Sequence, residues 1–207
     1  MRATKAKTEI RQEQIAQAAL RLLAARGWRK VSLTVIARQV GVVTSAIYRH
    51  FSGKDEVLDA VLELVGQSFQ ANIQAAREAT TDPVECLHET LLRHLKLITS
   101  GVPVPRIILS EDVFTGNARH RKRIRAIYQV YLGEIAALIR AGQKQGLIRT
   151  ELAAHSLALM WLGLVQSPAI IWLLGQGDFD LEQHCERAWL LFAETIRTTP
   201  RTRQLPP

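Results

Sequence analysis

The chain has 207 residues, 47% of them hydrophobic, which is enough apolar material for one large or two small globular domains and excludes disorder as the default. Its formal net charge of +8 is uneven: residues 1–54 carry eleven Lys or Arg against Glu9 and Glu13, a net +9, so the remainder is close to neutral. That asymmetry points the first quarter of the chain towards a polyanion, with a basic solvated surface as the plain alternative.

Apolar residues recur three and four positions apart and alternating strand-like runs are missing, so the expected fold class is all-α. Thr8 opens a first helix whose apolar face is Ile15, Ala18, Ala19, Leu22 and Leu23; it ends near Arg26, with Gly27 as a left-handed stop. Ser32 caps a short second helix carrying Ile36, Ala37 and Val40, although Val35 supplies no capping-box carboxylate. Gly41 ends that helix, and a short third one carries Ile47, Tyr48 and Phe51. After Ser52 and Gly53 a long fourth helix runs from Lys54 to about Ala79 through Val57, Leu58, Val61, Leu62, Val65 and Phe69. Asp82 and Pro83 open the next helix, and Asn117 precedes one that reaches about Gln145. Thr150 opens an apolar helix through Leu174, Gly175 to Asp178 form a turn, and Leu181 to about Arg197 form the last helix. The GQGD turn lacks a preceding strand and the dinucleotide spacing, so it is no phosphate loop.

Two short helices joined by a glycine turn are the signature of a helix-turn-helix, here spanning about residues 31–51. Gly41 permits the positive φ that lets the helices cross steeply. Thr44, Ser45 and Ala46 are small enough to bring the third helix against base edges, where hydroxyls bond and methyls touch thymine. Thr44 or Ser45 equally suits a plain helix cap. Tyr48, Arg49 and His50 reach phosphates, and Lys54 adds a charge beside the N-H groups that open the fourth helix.

Residues from about Thr8 to Leu64 resemble the N-terminal domain of the tetracycline-repressor (TetR) family of bacterial regulators. The match runs through Ile15, Ala18, Ala19, Leu22, Gly27, Val31, Ser32, Ile36, Ala37, Gly41, Val42, Ala46, Ile47, Tyr48, His50, Phe51, Lys54 and Leu58, densest in the string GVVTSAIYRHFSGKDEVL. The resemblance implies a DNA-facing set of Ser32, Thr34, Thr44, Ser45, Tyr48, Arg49, His50 and Lys54. Val43 joins them at the entry of the reading helix, where such proteins often have a serine-like cap, so the start of that helix stays open. It also implies a division into residues 1–53 as the DNA-binding domain, 54–199 as a larger helical effector-binding and dimerisation domain, and 200–207 as a flexible tail.

The last two long helices are then expected to pair with their copies in a homodimer, through Leu164, Val165, Ile171, Trp172, Trp189 and Phe192; with Trp161 and Leu190 these are more apolar bulk than two terminal helices hide alone, although simple core packing must account for some of them. A dimer presents two reading helices to a palindromic double-stranded operator. Effector-lining candidates are Ile107, Ile108, Phe114, Tyr128, Tyr131 and Trp161, with plain core packing as the alternative. The expected protein is a cytoplasmic, ligand-released repressor with an unidentified small-molecule effector. A regulator or architectural DNA-binding protein without an effector is the alternative.

Other classes find little support. Leu157 to Leu174 reaches the minimum bilayer span, but Gln166, Ser167 and Pro168 put polar groups and a kink at its centre, so no membrane contact is expected. The first ten residues lack the apolar core of a signal peptide, and Cys86 and Cys185 have neither disulfide-framework nor redox spacing. Glu85, Cys86, His88 and His94 do not close a four-ligand set, so neither metal nor other cofactor is expected. Catalytic motifs are missing, and no enzyme activity is expected. The run Arg119 to Arg125 reads as a solvated helix face, with acid or DNA binding as the alternative.

Overall fold

The computed structural model describes residues 2–100, 105, 107 and 117–198, without the side chains of residues 2–7. Among the described residues there are eight α-helices: α1 Arg2–Arg26, α2 Leu33–Val40, α3 Thr44–Ile47, α4 Lys54–Ala79, α5 Pro83–Thr99, α6 Ala118–Lys144, α7 Ala154–Leu174 and α8 Leu181–Ile196. A 3₁₀ turn, Trp28–Lys30, follows α1, and the described extended pairing is a single isolated bridge between Ile148 and Arg197. The fold is all-α.

Local chemistry sets four of the helix starts. Ser32 Oγ accepts the Val35 N-H at 3.3 Å, Asp82 Oδ1 accepts those of Val84 and Glu85 at 2.7 and 3.3 Å, Asn117 Oδ1 that of Arg119 at 3.0 Å, and Asp180 Oδ1 that of Gln183 at 2.9 Å. Each satisfies N-H groups that the first turn leaves without a partner.

Three expectations are corrected. The first helix begins at Arg2 rather than Thr8, because Ala3, Lys5, Ala6 and Lys7 are good helix formers that carry the helix through Thr4 and Thr8. Gly27 has φ 75° and ψ 153°, positive in φ but outside the left-handed helical region, and it leads into the 3₁₀ turn instead of closing a left-handed cap. The apolar helix α7 starts at Ala154 instead of Thr150. Gln143 Nε2 donates to the carbonyls of Arg149 and Leu152 at 3.0 and 2.8 Å, which holds that stretch in a turn.

The chain divides into two compact units, one drawn from Met1–Asn72 and His94–Val130, the other from Ile73–Arg93 and Tyr131–Pro207. In the first, Ile15, Ala19 and Leu23 of α1, Ile36 of α2, Ile47 of α3, and Leu58, Leu62 and Phe69 of α4 are buried. In the second, Leu87 and Leu91 of α5, Tyr131, Ile135 and Ile139 of α6, Trp161 and Val165 of α7, and Cys185 and Ile196 of α8 are buried. Trp161 donates its indole N-H to the Leu87 carbonyl at 3.1 Å, so its one polar atom is satisfied inside the core.

By length and composition α7 is apolar enough to cross a membrane. Its Leu157, Ala158, Trp161, Val165 and Ala169 form a buried stripe at helical spacing, and α7 packs against α8. The opposite side, including Met160, Ile171 and Leu174, is exposed.

Candidate nucleic-acid interface

The geometry around Gly41 is that of a helix-turn-helix. Gly41 adopts φ 77° and ψ 35°, the left-handed conformation that residues with a Cβ adopt only at a cost, and Val42 donates its N-H to the Ala37 carbonyl at 2.9 Å. The chain then extends at Val43, which is the N-cap residue of α3 and makes no side-chain cap bond. The reading helix therefore starts at Thr44, and the N-cap position belongs to neither Thr44 nor Ser45. After Ile47 the backbone keeps turning, with His50 and Phe51 both donating to the Ile47 carbonyl at 2.9 and 3.0 Å. Ile47 and Phe51 anchor this segment in the core.

Ser32, Thr34, Val43, Ser45, Tyr48 and Arg49 are exposed on the start of α2 and on and around α3, while Thr44, His50 and Lys54 are half-buried. Tyr48, at 58% exposure, points a phenol at solvent, as a phosphate-contacting residue must. His50 faces partly inward: its Nδ1 is buried without a hydrogen-bond partner among the described residues, and Gln12 of α1 donates to its carbonyl at 3.2 Å.

Lys54 has a partner that the sequence did not reveal. Its ammonium donates to the Trp28 carbonyl at 2.7 Å and lies 4.8 Å from the centre of the Trp28 ring. Trp28 is itself buried, so this pairing ties the start of α4 to the turn after α1. The only sequence signal was an aromatic residue set between cations, at Trp28-Arg29-Lys30. Next to it, Glu56 accepts the Ser52 N-H at 2.6 Å and the Ser52 hydroxyl at 2.8 Å, a box that fixes the entry to α4. Those two bonds, the backbone one first, hold the Glu56 carboxyl below the usual glutamate range.

The described effector candidates fall into two groups. Ile107 and Tyr128 line an apolar cavity in the first unit with Leu62, Val65, Phe69, Ile124 and Ile127. Its volume is about 10 Å³, room for a water and no more. Phe69 stacks on the fully buried His94 at 5.0 Å, and burial lowers that imidazole to about 4. Tyr131 and Trp161 belong to the core of the second unit, edge to face at 5.9 Å. Ile108 and Phe114 lie outside the described residues.

The expected dimer residues also divide. Val165, Trp189 and Phe192 are buried within the protomer and have no surface to offer a partner, whereas Leu164 and Trp172 are half-buried and Ile171 is 60% exposed. The apolar surface of the two terminal helices is instead Leu159, Met160, Ile171 and Leu174 of α7 with Leu190 and Leu191 of α8. A groove of about 610 Å³, lined by Gly163, Leu164, Ser167, Pro168 and Ile171 with Phe179, His184 and Ala188, runs beside it. His88, one of the sequence's metal-ligand candidates, pairs with Glu186 at 2.9 Å and stacks on Trp189.

Comparison with known proteins agrees with this architecture. Residues 15–61 match the family described as bacterial regulatory proteins, tetR family, and residues 54–195 match the C-terminal region of YsiA-like proteins. The HTH-type transcriptional repressor BepR of Brucella suis is 28% identical over 205 residues, covering 95% of this chain and 97% of that protein. The fatty acid metabolism regulator protein of Bacillus subtilis is 25% identical over 169 residues, covering 81% of this chain and 86% of that protein. The transcriptional regulator FadR of Bacillus subtilis, solved in complex with stearoyl-CoA, superposes with a TM-score of 0.75 at 21% identity, covering 89% of this chain and 98% of that one. The helix-turn-helix and the two profiles that together span residues 15–195 place the chain in the tetR family of bacterial regulatory proteins, DNA-binding regulators of transcription.

Proposed function

We propose that the chain is a repressor that binds a palindromic operator as a homodimer through α3 and leaves it when a small molecule with a sizeable apolar part binds. The observation that carries this is the α2–Gly41–α3 turn, which exposes Ser45, Tyr48 and Arg49 within a segment of net charge +9. Thr44 and Ser45 read base edges; Tyr48, Arg49 and His50 take phosphates; Ser32 and Thr34 add contacts from the start of α2. Lys54 holds the head to α4 through Trp28. The functional division falls near residue 54, and the exposed apolar side of α7 and α8 meets its copy in the partner. The effector class is supported by the cavity around Phe69, whose lining is apolar apart from Tyr128, and by the fatty acid metabolism regulator among the relatives. Ligand binding tilts α4 and moves the two reading helices apart, so operator and effector each weaken the other by one factor.

Selection of bound duplexes from random DNA tests the reading. The expected product is a palindrome with half-sites about one helical turn apart, and Thr44→Ala changes the preferred bases. Failure to enrich any sequence overturns it. Thermal shift with long-chain acyl-CoA thioesters then tests the effector class: compounds that raise the melting temperature and weaken operator binding support it. An operator that none of them weakens favours the regulator without an effector of this class.

A further inference from the structure

Asp59 lies in the second turn of α4, directly after the helix-turn-helix, and only 6% of its side chain is exposed. A carboxylate that dry is tolerated only beside compensating charge. Two arginines in the first two turns of α6 supply it: Arg119 Nη2 stands 2.6 Å from Asp59 and Arg123 Nη1 3.8 Å away, with the His120 ring beside them at 3.8 Å. The second guanidinium nitrogen of Arg123 reaches Glu63 at 2.6 Å, one turn further along α4. One turn earlier, Asn117 Nδ2 approaches Asp55 at 3.5 Å, and His120 Nε2 lies 3.4 Å from the Asp55 carbonyl. Asp55, Asp59 and Glu63 are four residues apart and form one stripe of α4. Two cations of the basic run 119–125 therefore pair with carboxylates of α4, Arg119 while keeping 64% of its side chain exposed.

Two features make this grouping suited to opening. Neither oxygen of Asp59 has an aligned hydrogen bond among the described residues, so it is held by proximity of charge, which weakens as the helices part and water enters. The next turns of the same two helices line the apolar cavity, Leu62, Val65 and Phe69 on α4 facing Ile124, Ile127 and Tyr128 on α6. With room for about one water, the cavity, which Ile107 also lines, admits nothing larger unless its walls move, and α4 and α6 are two of those walls.

We propose that Asp59, Arg119 and Arg123 form an ion-pair latch that holds the start of α4, and with it the reading helix, in the operator-binding position, and that effector entry between α4 and α6 opens it. The latch rests on the repressor reading above and names its regulation. The sign of one substitution distinguishes it from bulk electrostatics. Asp59→Asn removes a negative charge near the DNA-binding head, which by charge alone tightens binding to any duplex. The latch requires the reverse for the operator selected from random DNA: binding at least tenfold weaker, with affinity for unrelated duplex not reduced.

Arg119→Gln, at a side chain 64% exposed, removes the shortest ion pair without disturbing the core and carries the test if Asp59→Asn fails to fold. It gives the same selective loss, and the double variant loses no more than about threefold beyond the single ones, because both break one latch. Unchanged or tighter operator binding by the folded variants overturns the proposal. So does an equal loss on operator and unrelated DNA with a smaller salt slope, which makes Arg119 a phosphate ligand, and so does a lowered melting temperature with the specificity ratio intact, which makes the cluster structural. If the wild-type chain enriches no operator, the repressor reading fails and the latch fails with it.

Discussion

Lys54 separates two physical accounts of the same charge. At the start of α4 it is placed to meet a phosphate, yet its ammonium donates to the Trp28 carbonyl at 2.7 Å and lies over the indole at 4.8 Å. Lys54→Met keeps the aliphatic stem and removes the charge. A hydrogen bond from a charged donor contributes about 1.5–3 kcal/mol and a cation over an aromatic face about 0.5–2 kcal/mol. The lysine is half-buried and part of both terms returns as hydration of the released groups, so a net loss of about 2 kcal/mol is expected. For a chain of this size that lowers the melting temperature by about 4–8 °C. The melt is run at fixed protomer concentration, since association shifts the midpoint. In parallel, operator affinity is measured against salt; if the ammonium serves Trp28, the slope of log K against log salt is unchanged. A slope that falls by about 0.9 with an unchanged melting temperature would mean that Lys54 neutralises one DNA phosphate, and would refute the account of Lys54 as a tie between α4 and the Trp28 turn.

Other expectations follow from single features. Gly41→Ala meets no neighbouring atom but must hold φ 77°, so chemical denaturation should show a loss of about 1–2 kcal/mol, with weaker operator binding. Leu190→Glu with Leu191→Glu should yield folded monomers in analytical ultracentrifugation, because both leucines are exposed; Val165→Ala should instead lower stability without dissociating the dimer, because Val165 is core. His94 is buried neutral and burial lowers it from 6.5 to about 4. The unfolded chain therefore binds the extra proton first as pH falls, and stability from this residue is lost between pH 6.5 and about 4, at about 1.4 kcal/mol per pH unit. A His94→Asn protein whose stability falls as steeply over that window as wild type would count against this.

The parts of the fold legible in the sequence are those fixed by neighbours along the chain. Ser32, Gly41, Asp82, Asn117 and Asp180 place helix ends through bonds to residues two to four positions away. The helix-turn-helix was legible for that reason, and so was its small exposed face. Which side of the terminal helices stays exposed was not, because α7 is apolar all round, and periodicity cannot say which side of such a helix is core. Trp189 and Phe192 are bulky, and bulk is what the protomer's own core takes first, while Leu190 and Leu191 stay exposed. Tyr131 and Trp161 are buried too, and spacing alone does not separate a core aromatic from one that lines a pocket.

Charge teaches the sharper lesson, because its count is local and its partner is not. Residues 1–54 hold a net +9 on any reading, but which of those cations are available to DNA depends on pairings such as that of Lys54 with Trp28, 26 positions earlier. The run from Arg119 to Arg125 reads as a solvated face from its own residues, and Arg121, Lys122 and Arg125 are indeed exposed. Arg119, itself exposed, and Arg123 differ in having carboxylate partners on α4, Asp59 and Glu63, each 60 positions away. A cation on an open face acts on DNA through net charge, so neutralising a nearby carboxylate helps it. A cation committed to a buried carboxylate acts through the position of a helix, so neutralising that carboxylate harms it. The opposite signs expected for Asp59→Asn follow from that difference, which is why one substitution can decide what the basic run is for.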